Sequence, residues 1–220
     1  MATPVPTNHE PESPRGGVPG GSSLRPDQPV SDEGKRSELA LEAARLHREA
    51  SAALAAGDLA TARDRFLAAA KNRQALGDRA REAVAWYQLA SIAVRESDSA
   101  AAAASFRKTL ELARAVGDRD VEAAALHQVG LIAWNKGKRA TGLLLVAISF
   151  GLLPPQAGGD EEKATNLLAH MAAAMGYGSD RLQTVLSESV AEYEHDGGRS
   201  LVEEALSDAP ESTSSVFESI

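Results

Sequence analysis

The sequence predicts an all-α protein, a solenoid of helical hairpins closed towards its C-terminus by capping helices. Three observations carry this expectation: apolar residues recur at helical spacing, the pattern returns every forty residues, and Gly-Asp pairs punctuate it. The clearest stretch is Ala83 to Asp118. Trp86, Leu89, Ala90 and Ala93 share one face of a first helix there, and Ala102, Phe106, Thr109 and Leu110 share one face of a second. Ser97-Asp98 interrupts the pattern as a short turn would. Small residues set against an aromatic one helix later mark two antiparallel helices whose backbones approach closely.

A shift of forty residues aligns Trp86 with Leu46 and Leu126, Ala90 with Ala50 and Gly130, and Ala93 with Ala53 and Ala133. Phe106 meets Phe66 and Val146, and Gly77-Asp78 meets Gly117-Asp118. This divides the chain into three units, 37–76, 77–116 and 117–156, with Pro154 closing the third because proline ends a helix. In these residues and their recurrence the chain resembles the tetratricopeptide-repeat family. The forty-residue period exceeds the commonest spacing of that family, about 34 residues, and is similar to a variant with lengthened second helices.

Taken in order, residues 1–35 are rich in Pro and Gly and have too little apolar surface to offset their ordering entropy, so they are expected to be a disordered leader. The first repeat starts near Ser37 and is the weakest, with Glu49 where the other repeats place Leu89 and Val129. A terminal repeat tolerates this because one of its faces has no neighbour. Leu46, Ala50, Ala53, Phe66 and Ala69 still supply an apolar face, and Gly57-Asp58 supplies the turn. The second helix of the third repeat has no charge from Ala140 to Leu153. Fourteen residues are too few for a membrane span, which needs about 20, so this helix is expected to be buried between its own repeat and the C-terminal segment.

Residues 157–207 should therefore form helices that cover it, either as caps or as a decayed fourth repeat. Ala164, Leu167, Leu168, Met171 and Met175 give one apolar stripe, and Leu182, Val185, Leu186, Val190 and Tyr193 give another. A helix cap is expected at Ser179 or Asp180, an end at Gly197-Gly198, and a short helix over Ser200 to Leu206. Residues 208–220 are expected to be a disordered acidic tail.

The chain has 220 residues, 43% of them hydrophobic, which is enough for a buried core. It has no cysteine, which excludes disulfides, thiolate metal sites and cysteine nucleophiles. The net charge of −8 is unevenly spread: residues 36–156 carry 17 Lys and Arg against 13 Asp and Glu, and residues 157–220 carry 3 against 13. Nucleic-acid binding needs a concentrated basic face, so it is not expected. No secretory signal is visible at the start, and a cytoplasmic location is the default expectation. Catalytic arrangements fare poorly. Glu192 with His195 is a single Glu-x-x-His element where a di-metal bundle needs two, and no Gly-rich phosphate loop follows a strand. No metal, cofactor or enzymatic activity is expected.

The resemblance implies where a partner would bind. In tetratricopeptide proteins the first helices of successive repeats line a groove that holds a peptide or a partner helix. By position, that groove is implied to contain His47, Arg48 and Ser51 from the first repeat. The second repeat gives Tyr87, Gln88, Ser91, Val94 and Arg95, and the third gives His127, Gln128, Leu131, Trp134 and Asn135. None is acidic, so the expected partner is a neutral or acidic protein segment with an apolar anchor. The lysine, asparagine and arginine clamp with which some members hold a terminal carboxylate is absent: His47, Ser51, Gln88, Ala124 and Gln128 stand at the matching positions. The expected role is that of an interaction scaffold or adaptor. A peptide-responsive regulator is the alternative, with the C-terminal helices or the tail answering to groove occupancy. Homo-oligomerisation is left open.

Overall fold

A computed structural model describes residues 32–153 and 160–210, and every regular element among them is α-helical. The order is α1 (Asp32–Ala55), α2 (Leu59–Leu76), α3 (Arg79–Arg95), α4 (Ser99–Val116), α5 (Arg119–Asn135), α6 (Arg139–Leu152), α7 (Asp160–Ala174), α8 (Ser179–Asp196) and α9 (Arg199–Leu206). The tightest pairings are α1 with α2, α3 with α4 and α5 with α6; α2 then packs on α3 and α4 on α5. This is a solenoid of three helical hairpins. Helix α3 also touches α5, so these two first helices approach one another along one side of the stack.

The Gly-Asp pairs explain how the chain turns so sharply between helices. Gly77 and Gly117 end α2 and α4 in the left-handed conformation, at φ of 73° and 71°, where a side chain would be strained. An aspartate follows Gly57, Gly77 and Gly117, and at Ser97-Asp98 a serine at φ 60° stands in the glycine's place; each of these aspartates caps the next helix. Asp58, Asp78, Asp98 and Asp118 each accept the backbone N–H three residues on, from Thr61, Arg81, Ala101 and Val121 at 2.9 to 3.3 Å. One residue of sequence therefore closes a helix and the next opens another.

Packing repeats with the same period. Phe66, Phe106 and Val146 are completely buried at equivalent points of α2, α4 and α6. Ala50 and Ala62 are buried in the first hairpin, Ala90 and Ala102 in the second. Gly130 and Gly142 stand at the equivalent positions of the third, where the backbones of α5 and α6 are nearly in contact. Glu49 is half-buried on α1 and pairs with Arg45 and Arg65, so the polar residue at a core position is satisfied at the open end of the stack.

The apolar helix α6 is buried continuously from Thr141 to Ser149 and is enclosed by α5, α7, α8 and α9. No helix among the described residues is long and apolar enough to cross a membrane. Several local details differ from the sequence expectations. Helix α1 begins at Asp32, inside the stretch expected to be leader; the rest of that stretch, Pro154 and residues 211–220 lie outside the described residues. Helix α8 is preceded by Gly178 with no side-chain cap, so neither Ser179 nor Asp180 serves as one. Of the α8 stripe only Val185 is buried, while Leu186 and Val190 are exposed. Only one side of α8 meets α6, and α7 barely covers the rest.

Candidate functional site

The first helices carry a periodic feature built from the forty-residue repeat. His47 on α1, Tyr87 on α3 and His127 on α5 occupy the same position in each hairpin, and all three are half-buried. Each ring lies edge-on to a phenylalanine of its own second helix: His47 to Phe66 at 5.2 Å, Tyr87 to Phe106 at 6.3 Å and His127 to Phe150 at 5.4 Å. Such edge-to-face pairs fix ring orientation, so the three rings form a series with one edge in the core and the other towards solvent.

Burial governs their protonation. It pushes the His47 imidazole below its usual value, and the nearby Arg73 charge adds to the effect. Burial alone lowers His127, whose Nδ1 lies 3.4 Å from the Ser149 hydroxyl. Burial also raises the Tyr87 phenol. At neutral pH all three rings are therefore uncharged, and they offer partly apolar surface with a polar edge.

Charge sits beside them. A cleft of about 340 Å³ lies between α1 and α3 over α2, lined by the neutral His47 ring and by three charged residues, Arg48, Arg73 and Arg81. Arg73 and Arg81 both reach Asp78 Oδ2, at 3.1 and 2.9 Å. Burial acts to raise the Asp78 carboxyl, but hydrogen bonds from Arg81 and the charges of Arg81 and Arg73 bring it below the usual carboxylate range. One carboxylate thus serves two guanidinium groups while also capping α3. Arg48 is exposed and has no ionic partner among the described residues. The cleft carries net positive charge, with Ala43, Ala44, Ala69, Val84 and Ala85 as its apolar walls.

The site residues expected from sequence fall into three groups. His47 and Arg48 meet in the cleft, and His47, Tyr87 and His127 form the ring series, with Gln88 and Gln128 half-buried next to the second and third rings. Ser51 and Ser91 are turned back on their own helices, donating to the carbonyls of His47 and Tyr87. The remainder lie towards the C-terminal ends of α3 and α5. Arg95 and Asn135 are exposed, Leu131 packs on the core, and Trp134 is half-buried with the Arg139 guanidinium 5.7 Å from its ring centre. Val94 borders a separate recess with Ile132, Lys136 and Leu206.

Arg73, Arg81 and Val84 also line the cleft, although none of the three is among the positions that the resemblance assigns to the groove. Arg73 belongs to a second helix and Arg81 to the first turn of α3, and the packing of α2 on α3 brings them together at the cleft. No family model, curated protein or solved structure matches this chain.

Proposed function

We propose that this protein is a binding scaffold of the tetratricopeptide type, which holds an acidic or neutral protein segment along the face of its first helices. The observation that carries this reading is the α1–α3 cleft, whose charged lining is wholly basic and which opens beside a series of uncharged, half-buried rings. A carboxylate of the partner would meet Arg48 and Arg81, because arginine presents a planar fork matched to carboxylate oxygens. An apolar side chain next to that carboxylate would rest on the ring edges of His47 and Tyr87. The role we propose is recognition rather than chemistry: the one hydroxyl set beside an imidazole here, Ser149 next to His127, is buried and donates to the Val146 carbonyl, and the Asp78 carboxylate is taken up by Arg73 and Arg81.

The test is affinity capture with the full chain and with the charge-reversed variant Arg48→Glu/Arg81→Glu, at low and moderate salt. Partners captured by the wild type should be lost by the variant, should weaken as salt rises, and should cross-link to α1 and α3 through acidic segments. Equal capture by the two proteins would mean that binding uses a different surface.

A further inference from the structure

The third hairpin departs from the other two at its turn. The first two hairpins turn on Ala56-Gly57-Asp58 and Glu96-Ser97-Asp98, with the aspartate capping the second helix; the third turns on Lys136-Gly137-Lys138. Two positions have changed to positive charge. Helix α6 has lost its side-chain cap as a result, at a usual cost of about 1 kcal/mol.

What the substitution achieves lies at the other end of the chain. Lys138 is buried, and its Nζ donates to the Glu204 and Ser207 carbonyls and to Ser207 Oγ, which closes the C-terminus of α9. Lys136 pairs with Asp208 at 3.2 Å, whereas its counterpart Glu96 pairs with Arg63. Two arginines of α4 complete the set: Arg107 grips Glu203 with both its Nε and Nη2, and Arg114 donates to the Gly197 carbonyl where α8 ends. Their counterparts on α2 are Leu67 and Gln74. Helix α9 buries Leu201, Val202, Ala205 and Leu206 in the furrow that these cations border.

Three features set α9 apart from a fixed structural element. It has eight residues, well below the roughly 12–15 at which an isolated helix becomes even marginally stable, so its helicity depends on docking. It is joined to α8 only through Gly197 and Gly198, both at positive φ (71° and 70°), with the Asp196 carboxylate accepting from the Arg199 and Ser200 backbone N–H groups across the junction. It also leaves space: a cleft of about 630 Å³ remains between α4 and α9, bordered by Arg107, Leu110, Arg114, Arg199 and Val202.

We propose that the furrow formed by α4, α5 and α6 is a second protein-binding surface, specific for an acidic amphipathic helix, and that α9 occupies it within the chain as a displaceable stand-in. The partner helix carries the pattern of Leu201 to Leu206, two apolar pairs flanking two acids, with a bulkier apolar residue where α9 has Val202. The furrow residues are distinct from those of the ring series, so this surface acts separately from the first-helix face.

The test uses the full chain and a fluorescein-labelled peptide of residues 196–209. Wild type should bind it weakly, because its own α9 competes. Val202→Asp/Leu206→Asp, which disables the resident helix and leaves the furrow intact, should bind at least about tenfold tighter, the gain expected if α9 is docked more than about nine-tenths of the time. Adding Arg107→Glu should abolish that binding, and a peptide carrying Glu203→Arg should restore it. Equal binding by wild type and the double variant, or binding by neither, would overturn the proposal. Hydrogen exchange on the unmodified protein gives an independent reading: α9 amides should exchange well before those of α6, and exchange of the two together would show α9 to be a permanent part of the core.

Discussion

Gly142 sets the closeness of the third hairpin. A methyl group there would lie 2.8 Å from the Gly130 carbonyl oxygen and 2.9 Å from the Trp134 backbone nitrogen, and backbone atoms cannot rotate aside as a side-chain tip can. Gly142→Ala must therefore push α5 from α6, and we expect it to cost about 1–3 kcal/mol despite alanine's better helix propensity. Chemical denaturation checks this, and an unchanged midpoint would mean that α5 and α6 can move apart without cost. The ring series makes a second prediction at this scale. His47 and His127 have folded-state pKa values below the unfolded value of about 6.5. Between those two values the unfolded chain holds more protons, so stability rises with pH. The melting temperature should fall as pH is lowered from about 7.5 to 5.5, and His47→Phe/His127→Phe should flatten that slope. A slope unchanged in the double variant would assign it to other groups.

Among the elements, legibility in the sequence tracks periodicity. The hairpins are readable because Ala90, Phe106 and their counterparts recur in register, and because Gly77-Asp78 and Gly117-Asp118 act locally, as a left-handed stop and a cap. Burial of α6 is readable too, since an uncharged helical stretch too short to span a bilayer, Ala140 to Leu153, must be covered by protein. Helix α8 is only partly legible. An apolar stripe says that a face can be buried, not that a neighbour exists to bury it, and Leu186 and Val190 remain exposed. The site divides in the same way. Ring positions come from the period alone, which is enough to find His47, Tyr87 and His127; Arg73 and Arg81 reach the cleft by packing between hairpins, which no single helix pattern contains. Lys138 is hidden for another reason. Its repeat position identifies a cap, and only the fold reveals that the group it caps belongs to α9.

At the scale of the molecule, the stack separates two surfaces of different character. One runs along the first helices, where the ring edges of His47, Tyr87 and His127 lie beside a basic cleft. The other is the furrow in which the acidic C-terminal segment is already held by Arg107, Arg114, Lys136 and Lys138. The charge asymmetry of the chain thus has an internal use, since part of the negative C-terminal region neutralises cations of the third hairpin and of α4. Arg48 on α1, beside the opening between the first two hairpins, is among the cations with no ionic partner among the described residues. The most direct measurement of the central claim is hydrogen exchange of the chain with and without a captured partner. Recognition along the first helices predicts slowed exchange over residues 43–51 and 81–91, lost in Arg48→Glu/Arg81→Glu; slowed exchange that spares α1 and α3 altogether would contradict it.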